Sequence, residues 1–347
     1  MTGTASTIEP WALWWCCALL VALACAATLR TGLGQSVGPP ANNPFHASGQ
    51  KVVAGLAPVL VATAVSAAIL RGGSAACIIA AVLALAGVGA VDDWRPYTPL
   101  GKLLCQLPIF VFVTVAVPPF APPEPLGQRV LAHVIHCIFL IVATNAMNVL
   151  DVADGLAPCV SAVSLGAVAA LLDAGGGRSA ALLAASFGGA SVGFLAFNAA
   201  GTVVLGDSGS LALGGLLAIA VPLSVPRSAG AGATAAALVL FVPLAEVVWL
   251  SVLRLRRGLP PWRRSPHHLA YCLVRRGLSA EQAVAVLVGA HLLATMAVLW
   301  ISGIRASSPW VAAALFGALV SPWLGLAFRH NARSSNGQRR RHEGGAT

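Results

Sequence analysis

Five of the eleven acidic residues lie in three short stretches whose spacing suits phosphate and divalent-metal chemistry. The first is Val91-Asp92-Asp93-Trp94, followed by Lys102 and Gln106. Adjacent carboxylates perturb each other's proton affinity, so such a pair can hold Mg²⁺ or act as a base, and a nearby Lys suits a phosphate oxygen. A solvated loop is the bland alternative for two acids taken alone. In the second stretch Asn148, Asp151 and Asp154 recur at every third position, which brings their side chains to one side of a helical turn. Gly155 follows and permits close backbone approach. The third stretch is Phe197-Asn198, then Leu205-Gly206-Asp207-Ser208-Gly209-Ser210 ahead of an apolar run. Amide donors at a helix start favour anions, and Asp207 can hold a metal against a pyrophosphate; a plain helix cap is the competing reading. A fourth, basic stretch runs from Arg254, Arg256, Arg257, Arg263 and Arg264 through His267 and His268 to Arg275 and Arg276. Paired His beside clustered Arg can grip phosphate oxygens, and a patch touching anionic lipid is its alternative.

These residues are embedded in a chain of 347 residues, 58% hydrophobic and only 9% charged. Soluble domains carry roughly 25% charged residues, so a water-soluble globule, a secreted disulfide scaffold and a disordered chain are all excluded. Apolar runs bounded by charge, Pro or Gly predict about eleven helices near 11–29, 52–70, 75–91, 103–119, 129–147, 155–172, 179–197, 210–225, 231–253, 281–302 and 309–328. Only helices satisfy their own backbone in hydrocarbon, and the alternation of a membrane barrel is missing. The expected fold is therefore all-α: a single polytopic domain over 1–328 with a basic tail, read as disordered, over 329–347. Eight Cys include no CxxC pair, so neither a disulfide nor a zinc site is expected. Glu9, with no Lys or Arg ahead of the first apolar run, fits a retained span better than a cleaved signal.

Charge placement gives the sidedness. Loops after odd-numbered spans plus the tail hold 16 of the 21 Lys and Arg, and the other side holds 5. The positive-inside rule then sets the amino terminus outside and the carboxyl terminus in the cytoplasm. Most of the basic residues lie in short loops between spans, so nucleic acid is not an expected partner. The same assignment brings Asp92, Asp93, Asp151, Asp154 and Asp207 to the cytoplasmic face. Carboxylates at the ends of apolar helices are costly unless paired with cations. Asp92, Asp151 and Asp207 are accordingly expected to gather around one divalent ion.

In this order and with these gaps, the four stretches resemble the polyprenyl-phosphate N-acetylhexosamine-1-phosphate transferase family, and Arg275-Arg276-Gly277-Leu278-Ser279-Ala280-Glu281-Gln282 looks like its undecaprenyl-phosphate N-acetylglucosamine-1-phosphate branch. The resemblance implies transfer of a sugar-1-phosphate, with GlcNAc-1-phosphate the first choice, from a UDP-N-acetylhexosamine to undecaprenyl phosphate. UMP would be released with Mg²⁺, or Mn²⁺, as cofactor, at the cytoplasmic face of a bacterial inner membrane. It also implies Asp207 and Asp151 as metal ligands, and Asp92, Asp93, Asp151 and Asp154 as catalytic acids. Lys102, Asn148, Asn198, Arg264, His267 and His268 would bind substrate, and homodimers are known in the family. The chain departs from the pattern at Ala270-Tyr271, where two further His are usual, and at Val152 and Val204.

The missing histidines motivate a weakened, polyprenyl-phosphate-binding relative as one alternative, and phospho-N-acetylmuramoyl-pentapeptide transfer is another. An ion-coupled transporter is the rival of a different class; it would place acids at midspan in duplicated halves. Elsewhere, His133 and His136, three apart in one span, are read as helix–helix hydrogen bonders with a metal pair as the alternative, and His291 as a packed polar residue. Glu246 is read as a functional intramembrane acid, either paired with an Arg of the fourth stretch or lining a polyprenyl groove.

Overall fold

A computed structural model describes residues 9–31, 36–37, 50–51, 56–70, 73–117, 126–225, 229–263 and 265–304. In chain order come α1 (Pro10–Thr31), a minimal antiparallel pair β1 (Ser36–Val37) and β2 (Gln50–Lys51), α2 (Leu56–Ile69), α3 (Gly73–Trp94) and α4 (Pro99–Ala116). Then follow α5 (Leu126–Leu150), α6 (Leu156–Ala174), α7 (Arg178–Asn198), α8 (Gly206–Ser224), α9 (Ala229–Val239), α10 (Phe241–Arg256), α11 (Leu269–Arg275) and α12 (Ala280–Ile301). Eight of these helices are long and apolar enough to cross a membrane, and α9 with α10 passes the same test only as a sharply bent pair, a broken span or a re-entrant loop. Among the described residues every expected span has its helix, with α2, of 14 residues, the shortest. The expected span 309–328 and the tail 329–347 lie outside the described residues. All eight cysteines are free.

Small residues decide how the centre packs. In α6 the whole run Leu156–Leu172 is buried, and it is rich in Ala, Ser and Gly, which let helix backbones approach closely where no water drives association. α7 lies between α1 and α6, and α8 between α3 and α5. Around this centre α4, α5 and α10 turn large apolar side chains outward, among them Leu104, Val115, Leu131, Ile138 and Val248. Apolar exposure on that scale suits hydrocarbon rather than water.

The two ends of the bundle differ chemically. At one end Arg178 ties the starts of α1 and α7 to the end of α6, through Glu9 at 3.3 Å and Asp173 at 2.8 Å. At the other end the carboxyl-terminal turns of α3 and α5 meet the first turns of α4 and α8, as alternate crossing requires.

α9 and α10 meet at a bend of 85°. Pro243 has no N–H, so the carbonyl of Val239 loses its normal helical donor. Ser164 Oγ of α6 replaces it, donating to Val239 O at 2.8 Å. On the other side of the break, Val242 N donates to His291 Nδ1 of α12 at 3.5 Å. His291 Nε2 and Ser164 Oγ are 2.8 Å apart, and with the serine proton directed at Val239 the imidazole donates. His291 is fully buried, the packed polar residue that the sequence suggests. Together with Ser164 it stands in for helical hydrogen bonds lost at the proline break.

Candidate active site

Local sequence sets each side chain in place. Asp92 and Asp93 occupy the last turn of α3. Thr98 caps α4, its hydroxyl accepting Gly101 N at 3.1 Å, and Pro99 opens the helix, so Lys102 falls in the first turn. Asn148 is in the last turn of α5, and Asp207 in the first turn of α8.

These four residues meet. Lys102 Nζ lies 2.8 Å from Asp92 Oδ2 and 2.6 Å from Asp207 Oδ2, and donates to Asn148 Oδ1 at 3.3 Å. Asn148 Nδ2 donates to Asp207 Oδ1 at 2.6 Å and to Ser210 Oγ at 2.9 Å. Asp92 Oδ1 also accepts the backbone amide of Tyr97. Ser210 is an addition that sequence reasoning missed, although its position one helical turn after Asp207 places it on the same face. A turn deeper, Gln106 and Asn145 exchange side-chain hydrogen bonds at 2.6 and 3.3 Å, locking α4 to α5 beneath Lys102.

Asp93 has a different duty. Its Oδ1 accepts Asp207 N at 2.8 Å and its Oδ2 accepts Ser208 N at 3.0 Å. The anion at the start of α8 is therefore a side chain of α3, and Asp207, freed from capping its own helix, faces Lys102 and Asn148. Two glycines make this possible. A Cβ at Gly89 would lie 2.2 Å from Asp207 O, so only glycine lets α3 come this close to α8. Gly206 has φ of +67°, and a Cβ there would press on the Asp93 carboxylate at 3.0 Å.

Asp151 and Asp154 stand in the turn between α5 and α6, the former half-buried and the latter buried. Asn198, expected to bind substrate, is only 2% exposed, and both ends of its amide are taken by backbone. Its Oδ1 accepts Gly155 N at 2.7 Å and its Nδ2 donates to Val203 O at 2.9 Å, so it clasps the 151–155 turn to the 199–205 loop.

In the basic stretch, Arg264 lies outside the described residues. His267 hydrogen-bonds to Arg257, and partial burial followed by the charges of Arg257, Arg275 and Arg254 pulls its pKa below the ordinary value of 6.5. His268 Nδ1 lies 2.8 Å from Glu246 Oε1. Of the two readings of Glu246, an Arg partner or a groove lining, the first holds only at longer range: the Arg254 charge acts on Glu246, while its hydrogen bonds hold the loop through Ser265 Oγ at 3.0 Å and Pro261 O. Residues 267–269 pass directly beside α10, so the loop reaches that carboxylate by hydrogen bond while the guanidinium is spent on backbone and hydroxyl further along.

The pair of carboxylate oxygens converging on one ammonium, with the Asn148 carbonyl adjacent, is a set of hard oxygen donors. It suits a magnesium-sized ion, which takes one or two carboxylates and completes its shell from phosphate and water. Among the described residues no three of His, Cys, Asp and Glu come together as a metal group. The expected three-acid cluster is here Asp92 and Asp207 around Lys102.

Residues 75–224, which carry all of this first cluster, match the model of glycosyl transferase family 4. The chain is 44% identical over 82 residues to phospho-N-acetylmuramoyl-pentapeptide-transferase of Shouchella clausii, covering 23% of this chain and 25% of that one. It is 30% identical over 184 residues to undecaprenyl-phosphate alpha-N-acetylglucosaminyl 1-phosphate transferase of Yersinia pestis, covering 50% and 49%. A phospho-N-acetylmuramoyl-pentapeptide-transferase of Clostridium kluyveri is 29% identical over 220 residues, covering 56% and 68%. The chain thus spans from a quarter to about half the length of the first two relatives. Transferases of both names stand among these bacterial relatives, and the apolar helices make this chain a multi-pass membrane protein.

Proposed function

We propose that the protein transfers an N-acetylhexosamine-1-phosphate, GlcNAc-1-phosphate by preference, from a UDP-sugar to undecaprenyl phosphate at the cytoplasmic face of a bacterial inner membrane. The observation that carries this reading is the convergence of Asp92, Lys102, Asn148 and Asp207 from four helices at one end of an apolar bundle. Such a place suits an acceptor that cannot leave the bilayer and a donor that cannot enter it.

The reaction brings two anions together. A phosphate oxygen of the lipid attacks the phosphorus bearing the sugar, that phosphorus–oxygen bond forms, and the bond to UMP breaks with its electron pair leaving on UMP. Lys102 offsets the repulsion between the two phosphates, and Asp92 takes the proton of the acceptor phosphate at Oδ2. Asn148 and Ser210 orient Asp207, Asp93 fixes the start of α8, and Asp151 and Asp154 flank the nucleotide. Mg²⁺, held by Asp207 and Asp92, would supply charge neutralisation on the pyrophosphate and the leaving group. His267, His268 and Arg264 are the proposed contacts to phosphate oxygens from the basic loop.

The test is UMP release by purified protein with undecaprenyl phosphate and a panel of UDP-sugars, UDP-MurNAc-pentapeptide included. Magnesium-dependent release that Asp207→Asn abolishes is the expected result. Release only with the pentapeptide donor would transfer the assignment to that activity, and tight polyprenyl-phosphate binding with no release from any donor would make the chain a binding relative.

A further inference from the structure

Glu246 is an acid in the middle of an apolar span, 1% exposed, three residues beyond the proline of the broken helix. A buried carboxylate costs several kcal/mol unless hydrogen bonds and countercharge offset it. Its hydrogen bonds come from one short segment. Oε1 accepts from His268 Nδ1 at 2.8 Å, and the Leu269 amide, the first of α11, lies 3.3 Å from Oε1 and 3.1 Å from Oε2. One turn along the same face of α10, Trp249 Nε1 donates to His267 O at 2.8 Å. Residues 267–269 are therefore docked on α10 at two points, one neutral and one anionic.

The two points do different things. The tryptophan holds backbone only. The carboxylate accepts from a ring nitrogen, and a nitrogen that donates to a carboxylate must carry the proton. A neutral imidazole has one N–H, so Nε2 is then left with its lone pair, and when the ring gains a proton Nε2 becomes a donor pointing away from Glu246. Other charged groups around the dyad are Arg254 on α10 and His267, Arg257 and Arg275 on the flanking loop; Arg254 is engaged with Ser265 and Pro261, and His267 with Arg257. None of them replaces Glu246 at His268 Nδ1.

We infer that Glu246 is a positioning residue for His268: it fixes Nδ1 as a protonated nitrogen and leaves Nε2 as the atom that, in the imidazolium form, donates to a substrate phosphate oxygen. Its effect on turnover rests on the proposed transferase reading, whereas the tautomer does not. Glu246 acts through His268 and touches no substrate itself.

The experiment uses the full chain, labelled with ¹⁵N-histidine in lipid nanodiscs, with the His268 signals assigned by their loss in His268→Asn. At alkaline pH the wild-type ring is expected in the Nδ1–H form, the minor tautomer of free imidazole, and Glu246→Gln is expected to return it toward Nε2–H. Trp249→Phe is expected to leave the tautomer unchanged. UMP release by Glu246→Gln should fall about tenfold to a hundredfold, as when a histidine loses its orienting carboxylate, with the loss in kcat and KM for the UDP-sugar nearly unchanged. A wild-type His268 in the Nε2–H form overturns the inference, even if Glu246→Gln does not fold. So does a tautomer that ignores Glu246→Gln. Wild-type protein with the Nδ1–H tautomer but no UMP release leaves the positioning intact and removes the transferase reading instead.

Discussion

Asp93 reaches from the last turn of α3 to accept the backbone amide of Asp207 at 2.8 Å, and its second oxygen takes the amide of Ser208. Two acids adjacent in sequence thereby divide their labour. Asp92 faces the ammonium of Lys102, and Asp93 holds the start of the helix that delivers Asp207. Asp93→Ala should cost about 1–2 kcal/mol of stability, the scale of a lost helix cap, and Asp93→Asn less, because an amide oxygen can still accept one of the two donors. Thermal unfolding in detergent, followed by intrinsic fluorescence, reads the difference; equal losses for the two variants would contradict the cap.

Lys102 supplies the countercharge shared by Asp92 and Asp207. Lys102→Met leaves two carboxylates facing each other and should destabilise by about 3–5 kcal/mol, as when one partner of a buried pair is removed. Adding Asp207→Asn should recover about 1–3 kcal/mol of that loss, the usual coupling of residues in direct contact. UMP release should stay absent in both. A double variant as unstable as the sum of the singles would show that the pair does not interact.

Gly89 and Gly87 form a matched test of helix approach. A Cβ at Gly89 would lie 2.2 Å from the Asp207 carbonyl, while one at Gly87 meets nothing within 4 Å. Gly89→Ala should therefore cost about 1–3 kcal/mol, the range for overpacking, and lower the yield of folded protein; Gly87→Ala should be silent. Size-exclusion profiles of fluorescent fusions compare them directly.

The bracket across the break predicts a pair of related losses. His291→Ala leaves the Val242 amide without its acceptor, and Ser164→Ala leaves the Val239 carbonyl without its hydroxyl. Each should cost about 1–3 kcal/mol, the penalty of an unmet buried polar group. The double variant should cost less than the sum in the same unfolding assay, since Ser164 and His291 also bond to each other.

His267 has its pKa lowered from 6.5 by partial burial and then by Arg257, Arg275 and Arg254. The folded protein thus binds that proton less readily than the unfolded chain. Whatever stability this lends is complete above pH 6.5 and is lost as pH falls through the folded value. An NMR titration should place the His267 midpoint below 6.5 and Arg257→Gln should raise it; a midpoint above 6.5 would contradict the arrangement.

Much of this was legible in the residues. Hydropathy locates each described span because an apolar helix must cover a fixed thickness, and alternate crossing forces Asp92, Asn148 and Asp207 to one end. The spacing of Asn148 and Asp207 does not reveal that Lys102 stands between the acids, because about a hundred residues separate Lys102 from Asp207 and only packing decides which side chains meet. Asn198 illustrates the same limit: its type suits substrate, but two loops consume its amide. Glu246 was recognisable as anomalous in an apolar run, yet its partner, 22 positions away beyond an irregular loop, was not. A run such as 231–253 reads as one straight span, because hydropathy averages over Pro243 without registering the carbonyl it orphans.

That elbow has a consequence for how the protein is made. Ser164 has already entered the membrane when α9 and α10 are synthesised, but His291 belongs to α12, which leaves the ribosome later. The segment can therefore meet only one half of its bracket at first. The hydrogen bonds that bracket the break are therefore complete only once the last described helix has been inserted.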